Sequence, residues 1–319
     1  MKQFKNRAEI TALPEFEKEQ PISAETYVGL VGWYAFEKEE MYCCSLKETG
    51  TLCRTPHKKG WVARVAGGGL TIIGGDCAKK KYDADSTIMR DINLAQKSID
   101  DEAVKQRLAE LLSDRDSARA AVVAAFERLD GRRRALQGFM EAVGRKNQSR
   151  LEELARTSGE VMVEGRTPAE VDSDGEVIKD ARIVRITLPP IASIVVCKPS
   201  YVAPMADDLR KLRKLYDDAD ALIESGAQKG RRELSAGLSR TDSSVSAAED
   251  AVRAIDAFLS CDLTGACFLV NDWKDRCLVG KIAIDRLGVG GDPKAWIQRI
   301  EAGLRRKHNV TKIVIGVSR

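Results

Sequence analysis

Histidine is nearly missing from this chain, which has only His57 and His308 among 319 residues. Chemistry built on clustered imidazoles is thereby excluded, and no Ser or Cys motif surrounds His308 to make it a catalytic base. Aromatic residues are scarce at 5%, whereas Ala, Leu, Arg and Glu abound, and that balance favours helix-rich architecture with some β structure. Runs of ~18–20 apolar residues, the length a membrane span requires, are lacking. Acidic and Pro-containing sequence, not an apolar run, follows Met1-Lys2-Gln3-Phe4-Lys5-Asn6-Arg7, so no signal peptide is expected and the predicted location is cytoplasmic. Neither sign of charge dominates: the formal net charge is only +4. Total charge therefore does not define a nucleic-acid binder, and local clusters must carry any such case. A fixed-period repeat is also lacking.

What is present, 43% hydrophobic and 31% charged residues, describes a soluble protein. Its length exceeds the ~250–300 residues at which single cores stop growing, so more than one core is expected. Residues 1–26 carry Pro14 and Pro21 among charges and read as an N-terminal arm. Over 27–86, short apolar runs at Tyr27–Val31, Met41–Cys43, Trp61–Val65 and Leu70–Ile73 predict a small antiparallel sheet. Gly67-Gly68-Gly69 supplies the positive φ angles of a tight hairpin between the last two runs.

Over 87–158 the apolar spacing changes to threes and fours, as in Leu94, Leu108, Val122, Leu129, Leu136 and Met140. That spacing predicts long amphipathic helix, with a bend near Gly131. Strand character returns over 159–200, at Val161–Val163, Val177–Ile178, Ile183–Leu188 and Ile194–Cys197, forming a β insertion. A second helical region follows over 201–260. Residues 261–319 read as ββαβ, with strands at Ala266–Val270, Arg276–Val279 and Lys312–Val317 and a helix from Pro293 to Arg306 capped by Asp292. The predicted class is α+β: a zinc-stapled antiparallel sheet, a long antiparallel helical hairpin of coiled-coil type with a β insertion, and a C-terminal ββαβ cap.

Eight cysteines in a reducing compartment point to metal ligation or burial, not to disulfides. Cys43 and Cys44 precede Cys53-Arg-Thr-Pro-His57, and Asp76-Cys77 follows the glycine hairpin, with Asp76 as the expected N-cap of the next helix. Three thiolates and one imidazole satisfy a structural zinc ion with no open position. The expected ligands are Cys44, Cys53, His57 and Cys77, with Cys43 as the alternative to Cys44, because neighbours on a strand point to opposite faces. A knuckle with two ligands, a hairpin and a ligand in the first helical turn resembles the treble-clef class of zinc fingers over residues 43–85. The departures are a Cys-x3-His knuckle and a fourth ligand supplied from upstream. A redox switch would use the same cysteines.

Basic residues surround this module: Arg54, Lys58, Lys59 and Arg64 on the knuckle and hairpin, and Lys79, Lys80 and Lys81 at the expected helix start. They suit a nucleic-acid backbone, with Trp61 and Tyr82 as candidates for stacking on bases. The competing reading is that they solvate the domain while Trp61 fills its core. Other basic runs, Arg132-Arg133-Arg134 with Arg145 and Lys146, Lys229-Gly230-Arg231-Arg232 and Arg305-Arg306-Lys307-His308, read as solvated helix faces.

Cys197, Cys261, Cys267 and Cys277 match no familiar pair of knuckles and read as small hydrophobes. Leu287-Gly-Val-Gly-Gly-Asp292 lacks the Lys-Ser/Thr of a phosphate loop and reads as a turn feeding an N-cap. Asp272, Asp275 and Asp285 are explained by the polarity of strand-connecting loops and not as a carboxylate set. No residue is assigned a catalytic role. The function expected is a non-enzymatic zinc protein that contacts DNA or RNA through the basic rim of the module. The alternatives are an assembly scaffold, homo-oligomeric or bound to a protein partner through the long helices, and an enzyme with an unrecognised site.

Overall fold

A computed structural model describes residues 1–38, 40–157, 159–171 and 173–315. The protein is of mixed α+β class. It divides into two compact units, residues 1–107 and 108–319. In the first, β1 (Lys2–Phe4), α1 (Arg7–Thr11), β2 (Tyr27–Ala35), β3 (Met41–Tyr42), β4 (Pro56–His57), β5 (Lys59–Val65) and β6 (Leu70–Gly74) precede α2 (Gly75–Lys81) and α3 (Thr87–Leu112). The main sheet has the order β1-β2-β5-β6. β1 lies parallel to β2, and the other pairs are antiparallel. Gly67 and Gly68, at φ 96° and 102°, make the β5–β6 turn, where a side chain would cost energy.

Alternation along β5 and β6 sends side chains into two apolar layers. Trp61, Ala63 and Ile73 pack with Ile88, Met89 and Ile92 of α3. Val62, Leu70 and Ile72 face the other way, against Phe4, Ile10 and Tyr34. Each fully buried large apolar side chain contributes about 1.5–3 kcal/mol, so this unit has a substantial core of its own. The N-terminal arm expected over residues 1–26 packs into this core. Phe4, Ile10 and Ile22 are completely buried, because β1 must pair with β2 and α1 must hide its one apolar side.

The second unit contains α4 (Arg115–Ala142), α5 (Arg145–Arg156), β7 (Met162–Arg166), β8 (Glu170–Val171), β9 (Val177–Lys179) and β10 (Ile183–Thr187). There follow α6 (Ala203–Asp217), α7 (Ala219–Glu224), α8 (Gln228–Leu238), α9 (Thr241–Ser260), α10 (Trp273–Leu287), α11 (Pro293–His308) and β11 (Lys312–Val314). Contacts fix the helix directions. Arg115 and Arg119 of α4 pair with Asp220 and Asp217 in reverse order, so α4 runs antiparallel to the end of α6. Arg128 pairs with Glu249, Arg132 with Asp256, and Phe139 meets Phe258 edge-on at 5.2 Å, so α4 and α9 run parallel. The expected two-helix hairpin is thus a three-helix arrangement in which the second helical region folds back on itself. Val122, Leu129, Leu209, Ile255 and Phe258 are buried.

Helix breaks fall at residues 113–114, between α3 and α4, and at Gly144, φ 81°, and not at Gly131, which stays inside α4. Ile194–Cys197, expected as a strand, is a 3-10 turn, and the expected strand Ala266–Val270 begins in another, Gly265–Phe268. Arg276–Val279 lies in α10, so the C-terminal segment is a helix pair and not ββαβ. Its one described strand, β11, joins the insertion in a sheet of order β10-β7-β11. Residues 316 and 317 of the expected last strand lie outside the described residues. Asp292 accepts a hydrogen bond from the Ala295 amide at 2.8 Å as the N-cap of α11, as the glycine loop before it predicts.

Candidate metal centre

The thiols are brought together by a hairpin the sequence does not advertise. Residues 41–57 fold back with Met41 opposite His57 and Tyr42 opposite Pro56. The Cys43 amide donates to Thr55 O at 3.1 Å and the Cys53 amide to Ser45 O at 2.9 Å, and Leu46 bridges Leu52. In this register Cys43, Ser45, Cys53 and Thr55 share one face, with the two cysteines as diagonal neighbours. The hydroxyls finish the grouping: Cys43 Sγ lies 3.3 Å from Ser45 Oγ and Cys53 Sγ 3.1 Å from Thr55 Oγ1.

Cys77 arrives from the first turn of α2, directly after β6. Its sulfur is 3.8 Å from that of Cys53, and the sulfurs of Cys43, Cys53 and Cys77 all lie within 4.8 Å of one another. Three such thiols could hold a metal ion. With Zn–S bonds of about 2.3 Å, a tetrahedral edge measures roughly 3.75 Å, so the Cys53–Cys77 spacing fits that edge without movement. The spacing is far beyond the ~2.05 Å of a disulfide.

The electrostatics suit a cation. Burial pushes Cys53 up, but hydrogen bonds from the Thr55 side chain and backbone, from Lys81 and from Cys77 outweigh it and bring the thiol down to about 6. Cys77 is pushed up to about 12 by burial and by its neighbours Cys43 and Cys53. One sulfur thus loses its proton readily, and its negative charge resists loss of the next. A metal ion removes that repulsion.

Of the expected ligands, Cys53 and Cys77 are brought together, and the pair Cys43/Cys44 is resolved in favour of Cys43. Cys44 faces the opposite layer, its thiol donating to Lys18 O at 3.6 Å and its amide to Ile72 O at 3.0 Å. Strand alternation separates the two neighbours, as their adjacency requires. His57 is not part of the group of three. Pro56 and His57 form β4, paired with Tyr42 and Met41 in the hairpin. The imidazole turns to Tyr34, Nδ1 lying 3.0 Å from Oη, while buried Nε2 has no hydrogen-bond partner among the described residues. Burial lowers the imidazole pKa. Tyr34 itself is raised by burial and then by the nearby Cys43, Cys44 and Cys77. Tyr34 was missed by sequence reasoning, although Gly60 opposite it on β5 is a signal: a Cβ there would meet Tyr34 Oη at 2.6 Å.

The basic rim is partly consumed. Arg54, held at φ 53°, pairs with Glu19 at 3.1 Å, and Arg64 pairs with Glu15. Lys81 Nζ donates to Ser45 O at 3.4 Å, beside the thiols. Lys58 donates to Glu37 O at 3.1 Å. Lys79 and Lys80 occupy the last turn of α2 with Lys81, not its first, where they complement the helix dipole. Trp61 is buried and Tyr82 is half-buried with its hydroxyl on Ile22 O at 3.2 Å. Neither is available to stack on a base. Lys58, Lys59, Lys79 and Lys80 are exposed, with no carboxylate partner among the described residues.

Elsewhere Arg132 pairs with Asp256, and Arg133 and Arg134 both pair with Asp130, so that run is a paired helix face. Cys267 is buried and Cys277 half-buried, and no second group of three metal-binding side chains occurs among the described residues. No helix among them is long and apolar enough to cross a membrane. No known protein family, curated protein or solved structure matches the chain.

Proposed function

We propose that this chain is a non-enzymatic, zinc-containing protein whose first unit contacts the phosphate backbone of DNA or RNA. The metal reading is carried by the 3.8 Å separation of the Cys53 and Cys77 sulfurs, which matches an edge of a zinc–thiolate tetrahedron. Cys43 is the third ligand, and the fourth position falls to a group beyond the three thiols. The zinc joins the 41–57 hairpin to α2, and the role assigned to it is structural.

Nucleic acid as partner is supported by the lysines at the same end of the main sheet. Lys58 and Lys59 lead into β5, and Lys79 and Lys80 follow the end of β6, whose Gly74 pairs with Gly60. With Trp61 and Tyr82 engaged in the core, the contact is electrostatic and indifferent to sequence. A protein engaging four phosphates of duplex DNA shows a log–log salt slope of about −3 to −4. The test is binding of the intact protein to a duplex across a salt series. Changing Lys58, Lys59, Lys79 and Lys80 to Glu should abolish binding and leave the zinc content at its starting value. Binding unaffected by these changes, or oligomerisation in place of binding, would replace this reading by the assembly scaffold.

A further inference from the structure

We infer that the outer edge of the β insertion is a homodimer interface, at which the segment from β9 to β10 pairs antiparallel with the same segment of a second copy. Three residues on each strand, 167–169 and 180–182, separate the β7–β10 ladder from the β8–β9 ladder, so the two hold one register and form one long hairpin. β11 lies on the far side of β7, which leaves the β9–β10 side as an open edge. The Thr167 amide donates to Arg182 O and the Leu188 amide to Val161 O, so the peptide groups of residues 182 and 188 turn inward. Those of Ala181, Ile183 and Arg185, one residue out of phase, point away from β7. They have no backbone hydrogen-bond partner among the described residues. Ile178 and Ile183, 68% and 60% exposed, flank them, and such an edge is a template for another strand.

The edge carries its own complement. Antiparallel pairing about a two-fold axis at Ala181 sets Asp180 opposite the partner subunit's Arg182, and by symmetry Arg182 opposite the partner subunit's Asp180. Both fall at non-hydrogen-bonded positions, where facing side chains approach most closely. Asp180 and Arg182 are exposed, and neither has an ion pair among the described residues. Other registers lack this match. An axis at Lys179 or Arg185 brings like charges face to face, and one at Ile183 sets Asp180 and Arg182 against aliphatic side chains. A wholly acidic or wholly basic strand would answer only one of the two charges, so a second copy is the occupant this edge fits.

Sedimentation velocity of the intact protein over a concentration series, with amide hydrogen exchange at both ends of that series, tests this directly. The parent should form a reversible dimer by about 100 µM, and the Ala181 and Ile183 amides should exchange more slowly in the dimer. The Arg182 amide, already bonded to Thr167 Oγ1 at 2.8 Å, should change less. Arg182→Asp and Asp180→Arg should each weaken association by about tenfold or more, a tenfold step corresponding to ~1.4 kcal/mol. The double variant, which restores opposite charges, should return to within a few-fold of the parent. Ala181→Pro removes an outward N–H, a change that edge strands tolerate, and should abolish the dimer. Its circular dichroism is to match the parent, and the charge swap decides independently if it does not. A monomer at every concentration, association without protection of Ala181 and Ile183, single variants that associate like the parent, or a double variant that fails to recover would each overturn the inference. The four lysines of the proposed phosphate contact are not altered, so failure here is separable from failure there.

Discussion

Cys53→Ser is the perturbation that bears most directly on the metal centre. It removes the sulfur that lies 3.8 Å from Cys77 and whose thiol pKa is brought down to about 6. The first unit has two apolar layers of its own, so it is expected to remain folded without metal. It should lose only the stabilisation that binding adds by mass action. At free zinc one thousandfold above Kd this is about 4.1 kcal/mol, equivalent to roughly a thousandfold change in an opening equilibrium. Amide hydrogen exchange is the suitable assay, because a two-unit protein does not give a single well-defined melting transition. In the parent, zinc should slow exchange at Trp61–Val65 and Leu70–Ile73 by up to about three orders of magnitude where exchange requires opening of the unit. In Cys53→Ser that zinc-dependent slowing should disappear, and bound zinc should fall below one ion per chain. Undiminished zinc content in the variant, or an identical zinc effect on β5 and β6, would refute the assignment.

Further outcomes follow from packing. Gly60→Ala should destabilise by about 1–3 kcal/mol or more in urea unfolding followed by a first-unit probe, because its Cβ would lie 2.5 Å from Ile73 O and 2.6 Å from Tyr34 Oη. Gly131→Ala should have the opposite sign and stabilise by roughly 1 kcal/mol, since it sits inside α4 with nothing within 4 Å of the added carbon. Arg276→Ala should cost about 3–5 kcal/mol in the second unit. The guanidinium is buried, bonded to Cys267 O at 3.0 Å and Glu301 at 3.2 Å, and stacked over Trp273 at 4.2 Å. Retention of parental stability would show that the ion pair there is dispensable.

Where the sequence was misread, the reason is local ambiguity. Ala266–Val270 is a continuous apolar run, and such a run does not distinguish a buried strand from a buried turn or helix. The missed signal is Asp272, whose side chain accepts from the Asp275 amide at 3.1 Å and starts α10. Gly131 was read as a bend because glycine weakens a helix, but packing of the neighbouring Leu129 and Leu136 outweighs a loss of ~1 kcal/mol. His57 was read as a ligand from its spacing to Cys53. Spacing alone does not say where the imidazole goes, and the strand pairing of Pro56 and His57 with Tyr42 and Met41 sets it beside Tyr34.

Sequence alone determined the α+β class, the glycine turn between β5 and β6, the helix periodicity, and the rule that only one of Cys43 and Cys44 joins the other thiols. These features depend on backbone sterics and on side-chain alternation over a few residues, which are written into neighbouring positions. Tertiary structure decided which cysteine it was, that Tyr34 rather than zinc-binding chemistry meets His57 Nδ1, which basic residues are already paired, and that α4 runs parallel to α9. Those outcomes depend on which segments meet across tens of residues, and burial of the shared apolar layers selects among pairings that local pattern leaves equivalent.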